Sequence, residues 1–338
     1  MSREPLSAGA ARSATAVLRV QDLHTVFDTE AGVVRAVDGV SFTLPRGGVL
    51  GIVGESGSGK SVANLSILRL VPQPPGRIVS GRIELAGSDL LALPERQMRA
   101  IRGKRIAMIF QDPMTSLNPY LTIGRQLTEV LDEHEGLGRR AARGRAVEML
   151  ARVGIPEPER RFDGHPHEMS GGMRQRVMIA MALLGRPEVL LADEPTTALD
   201  VTVQAQILAL VGDLRREYGT AVVLVTHDLG VVAGVADEVA VMYAGRIVEQ
   251  APAAALFATP RHPYTLALLR SLPRLSGDRD RLPPIPGRPP DPTALGPGCP
   301  FAPRCAHVTE ICHVQYPEAR QVGPAHQVHC WVDVAPGV

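Results

Sequence analysis

Apolar and polar residues alternate through LRVQDLHTVF, residues 18 to 27, and again through VVRAVDGVSFTL, 33 to 44. A period of two predicts half-buried strands, and the Asp/Gly-containing turn between them predicts an antiparallel hairpin layer. After PRGG the pattern changes. VLGIVG, 49 to 54, is apolar throughout and predicts a short, fully buried strand that runs into GESGSGKS and then into the helix-like SVANLSILRL. Residues 122 to 154 have helical periodicity with charged faces around LTEVLDEHE and RAVEMLARVG, and 170 to 185 reads as a further helix. EVLLAD (188 to 193), a helix over 201 to 218, AVVLVTHD (221 to 228), a short helix and EVAVMYAGRIVEQ (238 to 250) complete the series. Strands and helices in this order predict an α/β core with a mainly parallel sheet, an antiparallel β subdomain and an inserted helical subdomain over about 112 to 182.

Composition divides the chain further. Ten of the 29 prolines fall between Pro273 and Pro303, so RLPPIPGRPPDP reads as an extended connector. The expected organisation is a disordered tail over 1 to 15, a core over 16 to 256 and an extension over 257 to 338. MSREPLSAGAARSATA is faintly like a transit peptide but lacks the apolar core of a secretory signal. A formal net charge of +1 gives no electrostatic reason to expect nucleic acid. No apolar run reaches the roughly 18 to 20 residues needed to cross a bilayer, so membrane contact is expected to go through partners. Of the 36 basic residues only Lys60 and Lys104 are lysine, which suggests for each a task that a guanidinium does not perform.

Lys60 stands in the strongest motif. GESGSGKS fits the phosphate-binding pattern G-x-x-x-x-G-K-[ST] in its required strand, loop and helix setting. Backbone N–H groups from Gly54, Ser56, Gly57, Ser58 and Gly59 are expected to close on phosphate oxygens, with Lys60 on the β- and γ-phosphates and Ser61 on Mg²⁺. In VLLADEP, Asp193 is placed to hold Mg²⁺ through water and Glu194 to polarise an attacking water; the alternative is a solvated acidic pair before Pro195. MSGGMRQRV sets Ser170, Gly171 and Gly172 at a helix start, which by itself is also what a simple N-cap looks like.

Taken in order, GESGSGKS, IFQDP, MSGGMRQRV, VLLADEPTTALD and VTHD resemble the motifs of an ATP-binding-cassette ATPase. The resemblance implies a P-loop NTPase fold and a head-to-tail pair of cassettes enclosing two ATPs. Ser170, Gly171 and Gly172 would then face the γ-phosphate held by the partner, with Asp200 at the dimer seam. Gln111 would sense Mg²⁺ and the attacking water, His227 would contact the γ-phosphate and orient Glu194, and Phe27 would stack on adenine, a core-facing Phe being the alternative. Met169 and Met173 depart from the commonest form of the signature.

The stretches QDPMTSLNPYLTIG, PHEMSGGMRQRV, RHPYTLALLRSLP and IPGRPPDP with GCPFAPRC resemble, more narrowly, ATP-binding subunits of oligopeptide and dipeptide importers. That resemblance implies a peripheral subunit on the cytoplasmic face of the membrane, a sister ATPase, two membrane-spanning permeases and an extracellular substrate-binding protein. The same branch includes importers of nickel and glutathione. A DNA-acting cassette ATPase would need a long coiled-coil insertion, and only about 108 residues separate Ser61 from Ser170 without sustained heptads.

All four cysteines, Cys299, Cys305, Cys312 and Cys330, lie within the last forty residues. In the cytoplasmic setting implied above, clustered thiols bind metal more often than they form disulfides. Their spacing lacks paired C-x2-C knuckles but leaves zinc open. The resemblance implies a [4Fe-4S] cluster, since related subunits with this tail carry one. His307, His313, His326 and His329 are alternative ligands. The expectation is a metal-stapled lobe, with HPYT (262 to 265) packing it against the core.

Overall fold

The computed structural model describes residues 16–112, 116–196, 201–271 and 285–334. The expectations for the tail over 1–15 and for Asp200 lie outside the described residues. The chain divides into two compact units: 1–45, 49–91 and 225–338 form the first, 46–48 and 92–224 the second.

In the first unit, β1 (Ala16–Thr29) and β2 (Gly32–Pro45) pair antiparallel, from Leu18 opposite Leu44 to Thr29 opposite Gly32. Val20 and Leu23 are both buried although their spacing is odd, which a regular strand forbids. A register shift between them, with Asp22 at φ +45°, restores Leu23 to the buried face. β3 (Val49–Val53) is buried at every position, as its unbroken apolar sequence demands. The Lys60–Ile67 helix follows, and β4 (Gly76–Leu85) and β5 (Ser88–Asp89) complete a four-stranded sheet in the order β2-β1-β4-β5.

The second unit holds the Glu95–Ile101 helix, β6 (Ile106–Ile109), and the helices Ile123–Glu135, Arg139–Arg152, Pro158–Phe162 and Gly171–Leu184. Thr122 caps the first of the longer helices by accepting from Arg125 N at 3.3 Å, and Gly136 at φ +61° ends it. β7 (Val189–Asp193) runs parallel to β6, with Ile106 opposite Val189. The Val201–Tyr218 helix leads to β8 (Ala221–Thr226), along which the chain returns to the first unit. Lys104 does not repeat the role of Lys60. Its ammonium sits 2.8 Å from Glu135, whose carboxyl this bond holds below the usual carboxylate range.

Back in the first unit, β9 (Glu238–Tyr243) runs parallel to β3, with Leu50 opposite Glu238. EVAVMYAGRIVEQ is two strands: Ala244 and Gly245, at φ +45° and +83°, turn the chain into β10 (Arg246–Pro252), antiparallel to β9. Positive φ at both central residues is the two-residue hairpin turn that matches strand twist. β11 (Arg320–Gly323) and β12 (His326–Val328) form a further hairpin that adds antiparallel to β10, giving the order β11-β12-β10-β9-β3. The sheet is therefore mixed, because a tight turn and a late hairpin supply strands that no crossover helix precedes.

The extension shares a core with the strands of the first unit. Val53, Val239, Val241, Tyr243 and Val248 pack with Leu256, Tyr264 and Phe301. Glu249, with no exposed surface, accepts from the N–H groups of Arg261 at 2.7 Å and His262 at 2.9 Å, and its Oε1 lies 2.8 Å from His326 Nε2. His262 Nδ1 accepts from Tyr264 N at 3.0 Å and caps the Pro263–Arg270 helix. HPYT is thus built into the join between β10 and the extension. No helix among the described residues is long and apolar enough to cross a membrane.

Candidate functional site

The loop GESGSGKS leaves the carboxyl end of β3, the position at which α/β sheets bind ligands. Two of its glycines are obligatory. A Cβ on Gly54 would sit 2.1 Å from Met242 O, and on Gly59, at φ +102°, 2.0 Å from Ala36 O. The Lys60–Ile67 helix starts from Gly59, which has no side chain to cap it. Lys60 is nearly buried and curls over the loop: its Nζ donates to Gly54 O at 2.8 Å, Glu55 O at 2.9 Å and Ser58 Oγ at 3.3 Å. The loop is closed further by Gly245 N donating to Ser58 O at 2.9 Å. A glycine-rich loop leading into a helix N-terminus beside one ammonium is a setting that favours an anion. Phe27 lies on β1, half-buried, with its ring over Gly76 of the neighbouring β4.

In the second unit, β7 ends in Asp193, 5% exposed, followed by Glu194 at φ +46°. A left-handed backbone at a non-glycine residue costs energy and persists where its surroundings hold it. Gln111, just beyond β6, donates from Nε2 to Glu194 Oε2 at 3.0 Å; parallel pairing of β6 with β7 brings the two residues together. Ser170 Oγ accepts from Met173 N at 3.3 Å and caps the Gly171–Leu184 helix. That helix is tied to the turn after Glu194 by buried Gln175, whose Nε2 donates to Pro195 O at 2.5 Å. A Cβ on Gly172 would approach Val203 Cγ1 to 3.3 Å, whereas Gly171 has open space around it. His227, in the first unit, is exposed directly after β8, and Asp228 beside it caps the Leu229–Val235 helix.

Cys299, Cys305, Cys312 and Cys330 line one cavity of about 10 Å³ in the extension, together with His307. Burial pushes the Cys299 and Cys330 thiols up to about 11 and raises Cys305 as well. Cys305 Sγ accepts from His307 N at 3.3 Å, and Cys299 N donates to Cys312 O at 2.8 Å. In kind and number the donors fit a four-thiolate group. Among the described residues, however, no group of three or more His, Cys, Asp or Glu side chains is arranged to hold a metal ion.

Sequence reasoning missed Glu55, Tyr243, Glu249, Tyr264 and Arg304. Glu55 was hidden at a variable position of the loop pattern, and only HPYT hinted at Tyr264.

The "ABC transporter" family model matches residues 37–197, and the "Oligopeptide/dipeptide transporter, C-terminal region" model matches 248–312. The chain has 28% identity to the ATP-binding cassette MJ0796, solved as a dimer bound to ADP and Pi, with a TM-score of 0.63 over 70% of this chain and 98% of that one. These likenesses define an ABC-type ATPase. It is 55% identical to a probable peptide ABC transporter ATP-binding protein, y4tR, of Sinorhizobium fredii, over 93% of this chain and 94% of the relative. Against the oligopeptide transport protein OppD of Bacillus subtilis it is 53% identical, covering 94% and 89%, and against the dipeptide transport protein DppD of the same organism 52%, covering 94% of each. The chain belongs to the oligopeptide/dipeptide family of ABC transporter ATP-binding subunits.

Proposed function

We propose that this chain is the ATP-hydrolysing subunit of a membrane importer for di- or oligopeptides. The observation that carries the reading is one chain combining the closed phosphate loop around Lys60, the Gln111–Glu194 pair and the cysteine-bearing extension built onto β10. In this reading Gly54, Ser56, Gly57, Ser58 and Gly59 surround the phosphates of ATP, Lys60 neutralises the β- and γ-phosphates, and Ser61 with Asp193 and Gln111 serves Mg²⁺. Glu194 takes the proton of the attacking water and His227 orients it. Phe27 stacks on adenine. Ser170, Gly171 and Gly172 serve the nucleotide of a sister ATPase, with Asp200 at the seam.

The partners in this reading are that sister subunit, two transmembrane permeases and an extracellular substrate-binding protein. The chain works on the cytoplasmic face, held there through the permeases. Cys299, Cys305, Cys312 and Cys330 hold a [4Fe-4S] cluster, with zinc as the alternative; the group supplies cross-linking rather than chemistry on the substrate. Four cysteines on one cavity support this assignment.

The test is uptake by cells with and without the chain, supplied in turn with dipeptides, longer peptides, nickel and glutathione. Loss of peptide uptake alone supports the reading; loss of nickel or glutathione uptake alone assigns the other cargo.

A further inference from the structure

Residues of the extension reach the phosphate loop, and nothing in the reading above uses them. Glu55, second in GESGSGKS, is held on three sides. Its C=O accepts from Lys60 Nζ at 2.9 Å, its N–H donates to Tyr264 Oη at 2.8 Å, and its carboxylate takes both terminal nitrogens of Arg304, at 2.6 and 3.0 Å.

The Arg304 fork is itself fixed. Its side chain is 4% exposed, Nε donates to Pro286 O at 2.9 Å, and Nη1 also donates to Tyr243 Oη at 3.2 Å. The guanidinium lies 5.9 Å from the ring centroids of both Tyr243 and Phe301, which pack with Tyr264 at centroid distances of 4.5 to 5.3 Å. A buried, bidentate, fully partnered guanidinium is a geometric clamp, and lysine does not reproduce it.

Arg304 also belongs to the cysteine lobe. It ends the Ala302–Arg304 turn, which opens with Ala302 N donating to Cys299 O at 3.0 Å and closes with Cys305 N donating to Ala302 O at 3.2 Å. Displacing Cys299 or Cys305 therefore displaces the fork. A glycine-rich loop loses conformational freedom when it closes on phosphate, so a clamp that orders it beforehand strengthens binding.

We infer that Arg304 and Tyr264 are positioning residues for ATP, holding Glu55 so that Lys60 is presented to the phosphates, and that through Arg304 the four-cysteine lobe sets nucleotide affinity. The inference rests on the reading of GESGSGKS as the ATP site.

The experiment measures Mg-ATP affinity of the full chain by calorimetry, with melting temperature recorded for every variant. ATPase KM and kcat are measured in the assembled transporter. Glu55→Gln and Arg304→Lys are each expected to weaken binding about tenfold, about 1.4 kcal/mol, and the double variant no further. KM rises with kcat held within about twofold, a split that mere loss of folded protein does not produce. Cys305→Ser weakens binding in the native background and adds nothing in the Glu55→Gln background. A Glu55→Gln chain that melts like the native one and binds Mg-ATP within about twofold overturns the inference, as do effects of Glu55→Gln and Arg304→Lys that multiply to about a hundredfold. Lys60→Ala separates the two levels: if it binds Mg-ATP as the native chain does, the site reading itself is wrong.

Discussion

Gln111 Nε2 lies 3.0 Å from Glu194 Oε2, joining the second residue after β6 to the residue after β7. The bond orients a carboxylate whose own backbone is left-handed. Glu194→Gln keeps the shape and removes the base. It is expected to leave the Mg-ATP Kd within about twofold while lowering hydrolysis at least about a hundredfold, read by calorimetry and by phosphate release. Gln111→Ala is expected to lower kcat by about tenfold through misorientation of the carboxylate.

Gly59 sets the other half of the nucleotide chemistry. At φ +102°, with Ala36 O 2.0 Å from where a Cβ would stand, it accepts no side chain without displacing β2. Gly59→Ala is expected to weaken Mg-ATP binding at least about a hundredfold and to lower the melting temperature, both measured on the purified chain.

The elements most legible in the sequence were those whose burial is decided locally. The apolar run at 49–53 and the segment EVLLAD, 188–193, became the buried strands Val49–Val53 and Val189–Asp193, and the helix expected over 201–218 spans Val201–Tyr218. Less legible was anything fixed by a distant partner. Gly76–Leu85 was not read as a strand, since its register comes from β1, and β9 and β10 were read as one segment because Ala244 carries no turn signal despite its positive φ. At the site, the loop motif located Lys60 directly. The restraint on Glu55 was invisible because Arg304 lies 249 residues away in sequence.

Glu249 tests the join between core and extension. Its buried carboxylate receives two backbone N–H groups and faces His326. Glu249→Ala leaves those polar groups without a partner and is expected to cost about 3 kcal/mol, seen as a lower urea midpoint with an unchanged slope.

The cysteine lobe is tested by assay of iron, acid-labile sulfide and zinc per chain, on protein purified without oxygen or added metal. About four iron and four sulfide per chain are expected, falling together in Cys312→Ser. Stoichiometric zinc without sulfide would replace the cluster with a zinc staple, and absence of all three would remove the group from the account.

The central claim is that ATP hydrolysis by this chain drives peptide import. It is tested most directly in proteoliposomes holding the chain, its sister ATPase and both permeases, supplied with the binding protein, by measuring ATP hydrolysed and peptide accumulated together. The account predicts that peptide raises hydrolysis, that peptide accumulates only with ATP, and that Glu194→Gln abolishes accumulation. Peptide accumulation that survives Glu194→Gln, or hydrolysis indifferent to peptide with nothing accumulated, would contradict it.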